Sequence, residues 1–176
     1  MIYDNSEAFM FTGGILTVSD KGARGERPDE SGKAIQECLS PFGIRWARYE
    51  IVPDERQAIS DKLKEWAEEG LALILTTGGT GLSPRDVTPE ATLAILDRIA
   101  PGFTEVMRAE SLKKTPFAML SRAIAGIRKN TLIINLPGSP KAVEECLEVI
   151  SPALPHAIET LRGEATECAL KGQDSK

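Results

Sequence analysis

The sequence predicts an α/β fold in which a mainly parallel sheet is flanked by helices on both faces. Apolar runs of strand length alternate with longer segments whose apolar residues recur with helical spacing. Strands that alternate with helices form parallel sheets, and such sheets are covered on both sides. The length of 176 residues suits one domain. We therefore expect one domain over residues 12–163, after an N-terminal lead-in at 1–11 and before a polar C-terminal tail at 164–176.

The composition argues against several classes of protein. The net charge of -5 disfavours a large nucleic-acid interface. No apolar run approaches the roughly 18 residues of a membrane span, and residues 1–11 lack the pattern of a signal peptide. Cys38, Cys146 and Cys168 form no CxxC pair, which favours reduced thiols. We therefore expect a cytoplasmic protein that binds neither nucleic acid nor a membrane.

The first half of the chain predicts two strand–helix units. The apolar run at 14–19 predicts a buried strand, and residues 44–52 a second one. Between them, Ser31 is a suitable N-cap for a helix whose apolar residues share one face. Asp54 is placed to cap the next helix, and Gly70 to end it, because glycine is common just after a helix.

The second half predicts the rest of the sheet. Residues 71–77 form the clearest buried strand. Thr88 suits the N-cap, and Pro89 the first position, of a helix that runs towards Ile99. The remaining predicted elements are helices at 103–114 and 117–121, strands at 123–127 and 131–136 with a turn at 128–130, and two closing helices, the first capped by Ser139 before Pro140. We expect the strand at 131–136 to be central in the sheet.

Polar or glycine-rich segments follow four of the predicted strands. They are Ser19-Asp20, Pro53-Asp54, residues 78–86 and residues 137–140. Ligands of open α/β sheets bind beyond the carboxyl ends of the strands. The topology therefore predicts that these four segments meet at one edge of the sheet.

The strongest signal of function is the loop that follows the strand at 71–77. Its three glycines, at 78, 79 and 81, permit positive φ angles, so that consecutive N–H groups can form a concave site for an anion. Thr80 and Ser83 add hydroxyl groups, and Arg85 adds a bidentate phosphate donor. Asp86 suits a magnesium ion held together with nucleotide phosphates. The alternative is a tight turn with an exposed salt bridge, and the segment matches neither a P-loop nor a full GxGxxG motif.

The other polar segments have structural alternatives. Asp54 is by itself a simple helix cap, but with Asp86 at the same edge it could hold a metal or orient a nucleophile. Ser19-Asp20 and Pro137–Pro140 are either turns or contacts to a phosphate or a ring edge. Arg122 forms a surface ion pair or contacts an anionic ligand, and the local sequence does not decide between them. His156, the one histidine, lies in a helical pattern and gives no support to a Ser-His-Asp hydrolase.

Taken together, these segments resemble the molybdopterin-binding MogA/MoaB family over residues 13–162. The matching motifs, in chain order, are Val18-Ser-Asp20, Pro53-Asp54, Thr76-Thr-Gly-Gly-Thr-Gly81, Arg85-Asp-Val-Thr-Pro-Glu90, Leu120-Ser-Arg122 and Asn135-Leu-Pro-Gly-Ser-Pro140. The combined string of motifs is specific, whereas any single motif is not.

The resemblance implies a molybdopterin-binding fold, commonly assembled as a trimer. It implies that AMP is transferred from Mg-ATP to molybdopterin with release of pyrophosphate. Asp54 and Asp86 match the catalytic positions, and both are the implied Mg²⁺ ligands. The implied substrate-binding residues are Ser19, Asp20, Thr77, Gly78, Gly79, Thr80, Gly81, Ser83, Arg85, Thr88, Ser121, Arg122, Pro137, Gly138 and Ser139. A protein that inserts molybdenum is a possible partner.

Two other functions stay open at this point. MogA-like and MoaB-like proteins share much of the motif string, so a MoaB-like protein that binds molybdopterin without adenylyl transfer is the main alternative. An unrelated domain that binds a dinucleotide or a flavin is the second, and the broken GxGxxG fingerprint counts against it.

Overall fold

The computed structural model describes residues 11–163, which form a six-stranded sheet with helices on both faces. The strands are β1 (Phe11–Val18), β2 (Ile44–Val52), β3 (Leu73–Thr77), β4 (Arg98–Ile99), β5 (Ala125–Arg128) and β6 (Thr131–Leu136). The α-helices are α1 (Asp20–Ala23), α2 (Glu30–Leu39), α3 (Arg56–Glu68), α4 (Thr88–Leu93), α5 (Pro101–Leu112), α6 (Pro140–Ile150) and α7 (Leu154–Arg162). Short 3₁₀ helices lie at Ser40–Phe42, Pro116–Leu120 and Ser151–Ala153.

The strand order is β2-β1-β3-β6-β5-β4. The first four strands in this order are parallel, whereas β5 and β4 extend the sheet in antiparallel pairing. The predicted fold class and the interior position of β6 are therefore confirmed. None of the helices within residues 11–163 contains an apolar stretch of the length that spans a membrane.

Each face of the sheet has its own apolar core, because alternate residues of a strand point to opposite faces. On one face, Ile15 and Leu75 pack with residues of α2, α5, α6 and α7. On the other face, Leu16 and Ile74 pack with residues of α3 and α4, including the fully buried Trp66. Both cores hold the four parallel strands in place, and thereby fix the edge at which these strands end.

Two predicted helix caps in the first half of the chain are wrong. Asp29, rather than Ser31, caps α2, since its carboxylate accepts a hydrogen bond from the Gly32 amide at 2.9 Å. Glu55 occupies the N-cap of α3 and makes no side-chain cap bond. The Asp54 carboxylate instead accepts from the amide of Asp20, a residue of the neighbouring strand–helix unit. Local sequence cannot show such a partner.

The predicted helix from Thr88 towards Ile99 is shorter than expected. It ends at Leu93, and its N-cap is Val87. The chain then turns, because the amides of Asp97 and Ala100 donate to carbonyl groups of the neighbouring strand β5. This pairing makes Arg98–Ile99 an edge strand of the sheet.

Strand β1 begins at Phe11, which is buried, three residues before the predicted start. The rest of the predicted N-terminal lead-in, 1–10, and the predicted C-terminal tail, 164–176, lie outside the described residues.

Candidate functional site

The four parallel strands end at one edge of the sheet, and the four predicted segments lie there. The Ser19 amide donates to the carbonyl oxygen of Val52 at 2.9 Å, which joins the ends of β1 and β2. The Gly78 amide donates to the carbonyl oxygen of Leu136 at 3.3 Å, which joins the ends of β3 and β6. Residues from distant parts of the sequence therefore meet along this edge.

Asp20 and Asp54 are linked by reciprocal hydrogen bonds. The Asp20 amide donates to Oδ2 of Asp54 at 2.8 Å, and the Asp54 amide donates to Oδ1 of Asp20 at 3.0 Å. Arg85, from the loop after β3, places its guanidinium on the Asp20 carboxylate, with Nη2 at 2.8 Å from Oδ1 and Nε at 3.1 Å from Oδ2. Arg85, which the sequence predicts to bind phosphate, thus contacts an aspartate. These hydrogen bonds connect the loops that follow β1, β2 and β3.

The two linked aspartates differ in their affinity for protons. Burial raises the pKa of Asp54, and the nearby charges of Asp20 and Asp86 raise it further, against the hydrogen bond from the Asp20 amide. The hydrogen bonds from Arg85 lower the pKa of Asp20. A cation brought to this edge would therefore favour the ionised form of Asp54 and relieve the repulsion among the three carboxylates.

The glycine-rich loop after β3 is shaped by close approaches that exclude side chains. Gly78 and Gly79 have φ angles of +96° and +64°. A Cβ atom on Gly78 would lie 2.3 Å from the carbonyl oxygen of Val18. One on Gly79 would lie 3.2 Å from Oδ1 of Asp54, and one on Gly81 would lie 2.9 Å from Oδ2 of Asp86. The loop backbone therefore passes directly beside both predicted catalytic aspartates.

Asp86 closes a tight turn within this loop. Its Oδ2 accepts from the Ser83 amide at 2.9 Å, and its own amide donates to the Ser83 carbonyl oxygen at 2.9 Å. Among the residues that the structure describes, neither Oδ1 of Asp86 nor Oδ1 of Asp54 accepts a hydrogen bond. These oxygen atoms are available to a cation.

The donor set fits Mg²⁺ only when a ligand supplies further oxygen atoms. Within residues 11–163, no group of three or more His, Cys, Asp and Glu side chains is arranged to hold a metal. Mg²⁺ usually binds through one or two carboxylates together with waters and substrate phosphates. Asp54 and Asp86 can supply those carboxylates, so the residues present fit a metal that arrives with a nucleotide.

Other predicted site residues hold the loop backbone in place through hydrogen bonds from buried hydroxyl groups. The Thr77 hydroxyl donates to the carbonyl oxygen of Pro137 at 2.7 Å, and the Thr88 hydroxyl donates to that of Gly78 at 2.9 Å. Thr80 is buried as well. The Arg122 guanidinium forms an ion pair with Glu90 and also donates to loop carbonyl groups, so of its two predicted roles the structure shows the ion pair.

Two cavities flank the segment 137–140. The first, of about 160 Å³, has polar and apolar surface in nearly equal parts, and its lining includes Ser19, Asp29, Gly78 and Gly138. The second, of about 220 Å³, is mainly apolar, and its lining includes Arg108, Phe117, Ser121, Pro137 and Cys146.

The sequence analysis missed Asp29, which lies beside the first cavity. Its carboxylate accepts hydrogen bonds from the hydroxyls of Thr17, Tyr49 and Ser31 and from the Gly32 amide. Burial by itself raises the pKa of Asp29, but these hydrogen bonds outweigh it and the pKa is lowered. An aspartate three residues before Gly32 is the signal that could have found it, because aspartate is a preferred N-cap.

Asp29→Asn is expected to lower the free energy of unfolding at pH 7 by about 1–3 kcal/mol, because an amide nitrogen then faces hydrogen-bond donors. Since the folded protein lowers this pKa, the stabilisation is present above the unfolded value of about 3.9 and is lost as the pH falls through the folded value. Urea unfolding of the wild type and of Asp29→Asn at pH 7 and pH 3 would show a smaller difference in the free energy of unfolding at pH 3. An equal difference at both values would contradict this role.

Comparisons with known proteins cover nearly the whole described chain. Residues 14–156 match a family model described as "Probable molybdopterin binding domain". The molybdopterin adenylyltransferase of Helicobacter pylori strain J99 is 48% identical over 153 residues, which cover 85% of this chain and 87% of that protein. The molybdopterin adenylyltransferase of Escherichia coli K12 is 40% identical over 174 residues, covering 89% of this chain and 88% of that protein.

Solved structures agree with the sequence matches. The molybdopterin biosynthesis enzyme MoaB from Thermus thermophilus is similar, with a TM-score of 0.83 and 57% identity, over 87% of this chain and 97% of that one. The residues matched by the family model contain all four segments at the edge of the sheet.

Proposed function

Because the chain belongs to the family of molybdopterin-binding domains, we propose that it is a molybdopterin adenylyltransferase of molybdenum cofactor biosynthesis. It transfers AMP from Mg-ATP to molybdopterin and releases pyrophosphate. Asp54 and Asp86 are the proposed catalytic residues and Mg²⁺ ligands. The proposed contacts to the substrates are Ser19, Asp20, the amides of Gly78, Gly79 and Gly81, Ser83, Arg85, Ser121, Pro137, Gly138 and Ser139.

One observation carries the proposal: Asp54 and Asp86 lie beside the same glycine-rich loop, at an edge flanked by two cavities. A reaction that joins two substrates through their phosphates needs a place for each ring system and a common place for the phosphates. The cavities on either side of residues 137–140 are the proposed places for the ring systems. The glycine-rich loop, whose Gly78 lines the first cavity, is the proposed place for the phosphates.

In the proposed reaction, a terminal phosphate oxygen of molybdopterin attacks the α-phosphorus of ATP. A new P–O bond forms, the bond to the bridging oxygen of the β-phosphate breaks, and pyrophosphate leaves. The chain's task is to bring two anions together in line, which needs fixed geometry and positive charge. No side chain has to form a covalent intermediate.

Each part of the edge has a role in this reaction. The amides of the loop at 78–81 donate to phosphate oxygens, as such backbone nests do. Nη1 of Arg85, which within the described residues has no hydrogen-bond partner, is free for a phosphate oxygen while Asp20 holds the rest of the guanidinium. Asp54 and Asp86 would hold Mg²⁺. The ion, when bound, offsets the charge that develops on the leaving pyrophosphate.

The proposal is tested by incubating the purified protein with molybdopterin, ATP and MgCl₂ and following the products by mass spectrometry. We expect adenylyl-molybdopterin and pyrophosphate in equal amounts. Samples that lack molybdopterin serve as the control, and they should release no pyrophosphate. Bound molybdopterin that stays unmodified, with no pyrophosphate, would overturn the proposed activity.

A MoaB-like molybdopterin-binding protein without adenylyl transfer is the second proposal, because a MoaB enzyme is among the similar solved structures. It predicts that molybdopterin binds with similar affinity in the presence and absence of Mg-ATP. The same incubation separates the two proposals, since only the first predicts product.

We also propose a cytoplasmic homotrimer that passes its product to a protein that inserts molybdenum. Free thiols at Cys38 and Cys146 support the compartment. Exposed apolar side chains, Phe117, Met119 and Leu120, support an interface between copies. Light scattering should give three times the mass of one chain.

A further inference from the structure

We propose that Arg122, aligned by Glu90, is a positioning residue that holds the glycine-rich loop so that Asp86 meets the metal-bound nucleotide. The inference rests on the proposed adenylyl transfer. It assigns Arg122 no contact with a substrate, in contrast to the role that the sequence resemblance implies for it.

Arg122 is bonded to the loop at three points. Its backbone amide donates to the carbonyl oxygen of Thr80 at 2.9 Å. Its Nε donates to the carbonyl oxygen of Gly81 at 2.7 Å, and its Nη2 to that of Asp86 at 2.5 Å. The last two carbonyl groups bracket residues 82–85, all of which are exposed. The Arg122 side chain is therefore hydrogen-bonded to the residues on both sides of this exposed segment.

These bonds determine where the Asp86 carboxylate lies. The backbone of Asp86 is held by Arg122, and its side chain by the Ser83 amide within the same bracketed segment. If the bond to the Asp86 carbonyl oxygen were lost, the turn at 83–86 could move as a unit relative to Asp54. A displacement of about 1 Å between two metal-binding carboxylates is enough to lower a rate on the order of 100-fold.

Glu90 connects this arrangement to the sheet. It lies in α4 and forms an ion pair with Nη1 of Arg122. The same helix is fixed from below by Asn135 of β6, whose Nδ2 donates to the Thr92 hydroxyl at 2.9 Å. A continuous set of bonds thus runs from the buried strand through α4 and Arg122 to the loop.

The same contacts argue against a direct phosphate contact by Arg122. Nε, Nη1 and Nη2 all have protein acceptors, and 34% of the side chain is exposed. A phosphate could reach only the one remaining N–H of Nη1 and of Nη2, beside the carboxylate of Glu90, which would repel it. Arg122 therefore acts through Asp86.

Arg128 offers a matched control. It also donates to a carbonyl oxygen, that of Ile95 at 2.9 Å, and pairs with a glutamate, Glu68, at 3.0 Å. Its neighbour across the sheet is Thr131, the first residue of β6, so it lies at the opposite end from the site. Arg122→Ala and Arg128→Ala therefore remove the same kind of contacts at the two ends of the sheet.

The test measures amide hydrogen exchange of residues 79–87 and the Mg²⁺ dependence of turnover in both variants. For Arg122→Ala we expect exchange in this segment to be at least about 10-fold faster. The half-saturating Mg²⁺ concentration should rise about 10-fold and kcat should fall on the order of 100-fold, with molybdopterin binding little changed. Arg128→Ala should leave these quantities near wild type. Arg122→Lys should restore part of the loss, since lysine keeps the charge without the planar fork.

If Arg122→Ala does not fold, Glu90→Gln provides the second test, with smaller changes in the same direction. Wild-type exchange and Mg²⁺ dependence in the folded variants would overturn the positioning role, and so would equal changes in Arg128→Ala. An inactive wild-type protein would overturn the proposed adenylyl transfer, whereas the hydrogen exchange would still decide whether Arg122 holds the loop.

Discussion

Asp86→Asn is expected to lower turnover about 100-fold or more while the protein still folds and binds molybdopterin. The substitution keeps the shape of the side chain, and its amide oxygen can still accept from the Ser83 amide. It removes the negative charge that we propose for Mg²⁺ binding. The measurement is the rate of adenylyl-molybdopterin formation at saturating substrates, beside a binding titration with molybdopterin alone.

Asp97→Asn is the matched control for this prediction. The Asp97 carboxylate also accepts from a backbone amide, that of Lys129 at 2.7 Å, but lies away from the strand ends that form the site. We expect it to keep wild-type turnover. Wild-type turnover in Asp86→Asn would remove Asp86 from the mechanism.

Gly78→Ala is expected to destabilise the protein by about 3–5 kcal/mol, because two costs add. The φ angle of +96° is unfavourable for any residue with a Cβ atom. The new methyl group would also lie 2.3 Å from the carbonyl oxygen of Val18, so that β1 or the loop must move. Urea unfolding gives the free energy, and the surviving folded protein should show reduced turnover as well.

Gly70→Ala separates the two costs. Gly70 has a φ angle of +83°, but a Cβ atom there meets no other atom within 4 Å. Its substitution should cost only the conformational part, about 1–2 kcal/mol. Equal losses in the two variants would mean that the contact with Val18 contributes nothing and that the loop can move freely.

Patterns of apolar residues predict most of this fold, because burial on both faces of the sheet leaves a strong periodic signal. The predicted strand at 44–52 has the bounds that the structure shows. The predicted helix at Thr88 is too long, since its end depends on pairing between Arg98–Ile99 and β5, about 30 residues later. Local helix and strand propensities do not predict such long-range pairing.

The meeting of the four segments at one edge is predictable from the sequence, whereas the contacts among them are not. Strand order alone brings the four segments to one edge, and the glycine spacing indicates the loop. The partners of Arg85 and Arg122 are not predictable, because they depend on how loops from different strands approach one another. Asp20 lies 65 residues from Arg85 in the sequence, and only the parallel sheet brings the two side chains into contact.

The most direct test of a shared site at the strand ends is a crystal structure of the protein with adenylyl-molybdopterin and Mg²⁺. We expect the ion within about 2.1 Å of a carboxylate oxygen of Asp86 or Asp54, and the phosphates against the amides of Gly78–Gly81. Product phosphates bound at the other end of the sheet, near Arg128, would contradict the assignment.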